Sequence, residues 1–506
     1  MTAVTRQGCY QGLGNKGVTE YRGVPFARAP LGELRFKAPQ PLPDGDATQL
    51  ADRYPMPSLQ MKNPVMGIQE SSEDCLYLNI WVPDGEGPFP VMVWFHGGGY
   101  LAGSVSQVLY NGAELARSQN VVVVNAAYRL GAMGFADFSA VAPELDADTN
   151  LGMRDQLAAL QWVQENIGAF AGDCGQVTLF GESAGAFSVG ALLACPQAKD
   201  LFHGAITQSG AADVVLAPDQ VRKVTDAFVD ALPGAGSASE KLASADNKSW
   251  IKAQNAAVKV LVDRGLRTTT PQFAMNFLPM VDGDLLPALP IEAIAAGAAA
   301  DKRLLAGVCR DEWHFFQYAG VLAGTTTMDA LKQIDDDEIL RRFERALPGN
   351  GARALDYYQS VVTPDSRRSR LDFLSAMESD RLFRVPTVRL LDAQSQHNAQ
   401  CWGFQFTWQS EPFGIPLGAC HVVDVPFVFG VTDTPAGMYF TGGTDEARVL
   451  SQQVQAVWGA FARGEAPGWD GWQSARQVRQ LGPGETMASL LDDAGEQLWK
   501  DIIPSV

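Results

Sequence analysis

The sequence predicts an α/β fold built on a doubly wound, mostly parallel central sheet with helices on both faces. Three observations predict it. Five runs, Val91–Phe95, Val121–Ala127, Val177–Phe180, Ala205–Gln208 and Leu304–Val308, read as strands buried on both faces. Amphipathic helical patterns lie between them, such as Arg154–Ile167, with Leu157, Leu160, Trp162 and Val163 on one side. Strand and helix therefore alternate, as the parallel sheet of a doubly wound fold requires.

The remaining segments follow from their patterning. The 506 residues contain no internal repeat and no polar linker long enough to separate independent domains, so we expect one domain over 1–506. Pro233–Ser239 is rich in small residues but only as long as a surface loop. From about 329 to 391 the pattern is mostly helical, with Ile339, Leu340, Phe343 and Leu347 at helical spacing. That stretch interrupts the strands and is expected to be a helical insertion or regulatory region layered over the sheet. The acidic run Asp335–Glu338 reads as the first turn of one of its helices. Gly12-Leu13-Gly14-Asn15-Lys16-Gly17 matches the spacing of a dinucleotide-binding loop, but strand follows it where a helix is needed. A hairpin turn at Asn15–Gly17 is the better reading.

Charge and cysteine content exclude several functions. Lys and Arg total 39 against 57 Asp and Glu, a net charge of −18. Nucleic acid and anionic membranes would need a basic patch and are not expected partners. No stretch approaches the roughly 18 apolar residues of a membrane span, and the first residues lack an apolar leader. The seven cysteines (Cys9, Cys75, Cys174, Cys195, Cys309, Cys401, Cys420) are odd in number, sparse and without CxxC spacing. They suggest neither a disulfide scaffold nor a zinc site, and a reducing, cytoplasmic home is expected. No Walker loop, HExxH or EF-hand pattern occurs, and no cofactor is expected.

Two motifs carry chemistry. Gly181-Glu182-Ser183-Ala184-Gly185 follows the strand VTLF and opens the helical FSVGALLA. This is the context of a nucleophile elbow, in which a sharp strand-to-helix turn holds a serine in a strained conformation. The helix N-terminus places its positive end near a developing oxyanion. His96-Gly97-Gly98-Gly99 follows the strand VMVWF. Glycines strip side chains from that loop, so N–H groups can face a ligand atom; we assign Gly98, Gly99 and Ala184 as oxyanion donors. Glu182 lies beside the serine, where its charge would favour an imidazolium.

The other triad members are sought in the order serine, acid, histidine. Of five histidines, His96 belongs to the glycine loop and His203 precedes a strand, where it reads as a surface or capping residue. His397 sits in polar sequence. His421, in a loop ahead of apolar sequence, is favoured over His314, which lies close to the expected acid. That acid follows the strand LLAGV, where Asp311 and Glu312 are both available; Asp282 and Asp284 are lesser candidates.

Taken together, these residues resemble the type-B carboxylesterase family of α/β hydrolases, which includes the cholinesterases and bacterial carboxylesterases. The resemblance is nearly full length: YRGVPFARAPLGELRFKAPQP, SEDCLYLNIWVP, WFHGGGY, NLGMRDQLAALQWVQENIGAFAGD, VTLFGESAG, ITQSG, GVCRDEW and the His421 loop before PFVFG. It implies a serine hydrolase cleaving carboxylic esters through an acyl-enzyme on Ser183. It also implies Glu312 as the acid and His421 as the general base, with no cofactor and a small-molecule ester as substrate. It further implies structural ion pairs Arg35–Glu73 and Arg129–Asp173. Secreted relatives bridge the cysteine of the EDCL element to an upstream cysteine; here Ser58 occupies that place, so Cys75 is expected to be a free thiol. No tryptophan lies between Ser58 and Cys75, where cholinesterases hold quaternary ammonium.

Overall fold

The computed structural model describes residues 1–263, 275–484 and 486–503. An 11-stranded sheet forms the centre. Across it lie Met487–Ala488, Val478–Leu481, Cys401–Phe406, Arg303–Cys309, Gly204–Gln208, Gly172–Glu182, Phe89–Phe95, Val122–Ala126, Tyr77–Pro83, Val18–Pro25 and Leu13–Asn15. From Val478–Leu481 to Val122–Ala126 every neighbour pair is parallel. The edges are antiparallel. The outermost pair is the expected hairpin, turning at Lys16 and Gly17, both of positive φ, which matches the twist of the strands.

Alternation along the central strands divides the core. Val91, Val93 and Phe95 face one side with Val122, Val124 and Leu179. Met92 and Trp94 face the other with Val123, Phe180 and Ile206. Both faces are covered, which is why the strands read as apolar runs. The helix Leu151–Asn166 packs Leu157, Leu160 and Val163 into the first of these cores. The strand Cys401–Phe406 escaped the sequence reading because its Gly403 and Gln405 interrupt the apolar run; it is nonetheless wholly buried.

Residues 329–391 lie in helices Met328–Lys332, Asp336–Ala346, Gly351–Val361 and Leu371–Ser379, a π-helical turn Asp380–Arg384, and Val385–Ser395. Asp335 caps the second of these, accepting the Glu338 N–H at 2.7 Å. Ile339, Phe343, Tyr358, Met377 and Trp499 build a separate small core.

Parallel strands all end on one edge, and their register is aligned. Phe95 pairs with Gly181, Glu182 with Gln208, and Gln208 with Gly307. The loops after Phe95, Glu182, Gln208 and Cys309 therefore leave together, where open α/β sheets bind ligands.

One expected ion pair is corrected. Arg35 does meet Glu73 at 2.8 Å, but Arg129 pairs with Asp155, not Asp173. Its Nη2 and Nε donate to the two carboxylate oxygens at 2.7 and 2.8 Å, with both residues buried. Topology is the reason. Arg129 follows the C-terminal end of its strand, whereas Asp173 opens the strand Gly172–Glu182 at the opposite edge and caps its own turn by accepting the Gly175 N–H. Asp155, on the first turns of Leu151–Asn166, is brought beneath Arg129. Asp155→Ala should cost about 3–5 kcal/mol, because it leaves a buried guanidinium unpaired. Chemical denaturation would show this as a lowered midpoint; a loss under about 1 kcal/mol, the level of an exposed pair, would contradict the assignment.

Candidate active site

The turn after Gly172–Glu182 is built by steric exclusion. Ser183 has φ 55° and ψ −123° and immediately precedes the helix Ala184–Leu193. A side chain at Gly185 would overlap the Phe95 carbonyl, so helix and neighbouring strand approach more closely than any other residue allows. Ser183 is buried, with 5% of its surface exposed.

The glycine loop leaves the adjacent strand. Gly98 has φ 111°, and a Cβ there would overlap the carbonyl of Ala102. Leu101 and Ala102 N–H groups both donate to the Gly98 carbonyl, closing a tight turn. The N–H groups of Gly98, Gly99 and Ala184 have no acceptor among the described residues. His96 anchors the loop rather than reacting: it stacks on Tyr128 with centroids 4.6 Å apart, and its Nδ1 lies 2.8 Å from the Gly97 carbonyl. Burial lowers its imidazole to about 4, so it is neutral.

The structure brings Glu312 and His421 together across 109 residues of sequence. Glu312 Oε2 lies 2.6 Å from His421 Nδ1, while Oε1 accepts the Cys309 N–H at 2.7 Å. Both carboxylate oxygens are thus fixed. Glu182 Oε1 approaches His421 Nε2 at 2.9 Å, off the line of a hydrogen bond. Burial disfavours the imidazolium, but the Glu182 and Glu312 carboxylates outweigh it and push His421 up to about 10. The imidazole is enclosed by aromatic rings, Phe316 and Phe383 at 4.9 Å and Phe315 at 6.3 Å.

The other candidates go elsewhere. Asp311 accepts the Ala419 N–H at 2.8 Å and pairs with Arg310. Asp282 holds Thr149 and Asn150, and Asp284 pairs with Arg154. His314 is buried, with Nδ1 at 2.9 Å from the Leu417 carbonyl and Nε2 at 3.5 Å from Asp372. His203 accepts the Val177 N–H at its strand start, and His397 is exposed.

Sequence reasoning did not single out Asp424, three residues after His421. It accepts from Gln208 Nε2 at 2.7 Å, and Gln208 in turn accepts from Trp458. Burial and the nearby Glu182 carboxylate push Asp424 up to about 7. Its place three residues after His421 was the signal available in the sequence; its burial was not legible there. Among the described residues no cluster of His, Cys, Asp and Glu could hold a metal. No described helix is long and apolar enough to cross a membrane.

A serine on a strand-to-helix elbow, a glycine loop beside it, and a histidine–glutamate pair on the same sheet edge define an α/β hydrolase. The chain belongs to the carboxylesterase family, whose model matches residues 3–487. It is similar to the para-nitrobenzyl esterase of Bacillus subtilis, 37% identical over 467 residues, covering 91% of this chain and 89% of that protein. Mouse cholinesterase is 33% identical over 472 residues, covering 88% and 75%. Among solved structures, a thermophilic PNB esterase superposes with a TM-score of 0.83 at 32% identity over 98% of this chain and 99% of its own. The Geobacillus stearothermophilus carboxylesterase superposes with a TM-score of 0.84 at 30% identity, covering 99% of each. The protein is a serine hydrolase of carboxylic esters.

Proposed function

We propose that Ser183 is the nucleophile, His421 the general base and acid, and Glu312 the residue that orients it. The observation that carries this is the buried 2.6 Å contact between His421 Nδ1 and Glu312 Oε2, on the edge where Ser183 emerges. In the neutral imidazole that contact keeps the proton on Nδ1, so Nε2, which faces Glu182 Oε1 at 2.9 Å, is the nitrogen that accepts the serine proton. His421 takes the Ser183 proton as Oγ attacks the ester carbonyl. The N–H groups of Gly98, Gly99 and Ala184 hold the resulting oxyanion. His421 then protonates the leaving alcohol, and water, activated in the same way, releases the acid.

A small-molecule carboxylic ester is the substrate, and a panel of p-nitrophenyl esters of graded acyl length will define its range. A fluorophosphonate should label one serine, within the peptide containing Gly181–Gly185. Ser209 is the informative alternative: it too is buried with positive φ at a neighbouring strand end. Label there instead would overturn the assignment.

Only the neutral imidazole can act as base, so kcat/KM should rise with pH through the ionisation of His421, displaced well above the 6.5 of an ordinary imidazole. Glu182→Gln removes one of the two carboxylates that favour the charged form. Its acid limb should move to lower pH; an unmoved limb would mean that Glu182 does not sense His421 charge.

We also infer that the 329–391 helices belong to the same domain as the sheet. Ser379 accepts the Trp313 N–H beside Glu312, and Phe383 lies against His421. A reducing, cytoplasmic compartment fits seven unpaired cysteines, of which Cys75 is fully buried.

A further inference from the structure

Gln60 is a buried carboxamide to which the chemistry above gives no task. Its Nε2 donates to the Gly103 carbonyl at 2.7 Å, and its Oε1 accepts the Gly103 N–H at 2.9 Å. One side chain thereby satisfies both main-chain groups of a single residue, as a neighbouring strand would. Nε2 also donates to the Ser58 carbonyl at 3.0 Å, and the Gln60 main chain is tied to the Ser71 hydroxyl. The side chain is held from behind and has little freedom to follow a moving loop.

Gly103 closes the glycine loop. Its φ is 125°, and a Cβ there would overlap the His96 ring and come within 2.6 Å of the Gly97 carbonyl. It is the far anchor of the turn from Gly98 to Ala102. The near anchor is Tyr128, whose hydroxyl donates to the His96 carbonyl at 2.7 Å. Between these two points lie Gly98 and Gly99, with no side chain of their own to hold them in place.

We infer that Gln60 is a positioning residue for the oxyanion site: it clamps Gly103 so that the Gly98 and Gly99 N–H groups are already aimed where charge develops. The inference rests on the reading of Gly98 and Gly99 as oxyanion donors. Preorganised donors need no reorganisation at the moment of reaction, and small misplacements are costly. A carboxamide is required: glutamate keeps the acceptor but loses the donor, and methionine fills the volume with neither.

The test uses Gln60→Met and Gln60→Glu with p-nitrophenyl esters, and with an aryl trifluoromethyl ketone beside its methyl ketone. With the fluorinated ketone, Ser183 Oγ adds to the carbonyl carbon, its proton passes to His421, and the carbonyl electron pair becomes an alkoxide in the oxyanion site. In Gln60→Met, kcat and trifluoromethyl ketone affinity should fall together by about tenfold to a hundredfold, with KM within about threefold. Gln60→Glu sets a buried carboxylate oxygen against the Gly103 and Ser58 carbonyls and should lose at least as much in both kcat and ketone affinity; it carries the same readouts if the methionine variant does not fold. A lowered melting temperature with kcat and ketone affinity unchanged would overturn the inference alone. A wild-type enzyme that binds the trifluoromethyl ketone no more tightly than the methyl ketone would overturn the oxyanion reading, and this inference with it.

Discussion

Ser183→Ala is expected to lose ester turnover on the order of a million-fold in kcat, the scale found when a triad serine is removed elsewhere. Without Oγ no acyl-enzyme can form, so the pre-steady-state burst of p-nitrophenol should vanish rather than slow. The fold should survive. Ser183 makes no side-chain hydrogen bond among the described residues, and its strained φ of 55° is imposed by the glycines around it. Alanine therefore removes one oxygen and leaves the packing of the elbow intact. Unchanged circular dichroism with no burst is the expected pair of results. A stoichiometric burst from the variant would place the nucleophile elsewhere.

Glu312→Gln carries the second largest expected loss, about ten-thousand-fold in kcat. Glutamine has nearly the same shape and can still accept the Cys309 N–H through its carbonyl oxygen. Its amide nitrogen then faces His421 Nδ1 and donates where the carboxylate accepted. That favours the tautomer with its proton on Nε2, which cannot take a proton from serine. The imidazolium also loses one of its two neighbouring charges. Steady-state kinetics with a p-nitrophenyl ester measures the effect. A loss under about tenfold, well below that of a misoriented base, would mean that Glu312 is not the orienting acid. Asp311→Asn provides the contrast, since the Asp311 carboxylate is taken up by the Ala419 N–H and Arg310.

Much of the architecture was legible because its causes are local. Val122–Ala126 and Gly172–Glu182 are buried strands whose apolar runs announce them. The glycines flanking Ser183 mark a turn where backbones meet. Asp335 is a helix cap by residue type and spacing. Cys401–Phe406 was not legible, since Gly403 and Gln405 mask a strand that only its neighbours on both sides stabilise.

By itself the sequence determined where strands alternate with helices, that Ser183 sits on an elbow, and that a glycine loop stands upstream of it. These depend on periodicity, on the absence of side chains and on the order of a few adjacent residues. Tertiary structure alone decided which distant residues meet. Arg129 meets Asp155 because Asp173 begins its strand at the far edge of the sheet. Glu182 reaches His421, Asp424 meets Gln208, and Gln60 meets Gly103, each through a pairing of strand ends or loops that no local pattern records. Backbone preference acts over a few residues. The register of a parallel sheet is set by burial summed over the whole chain, and that register determines which side chains share an edge.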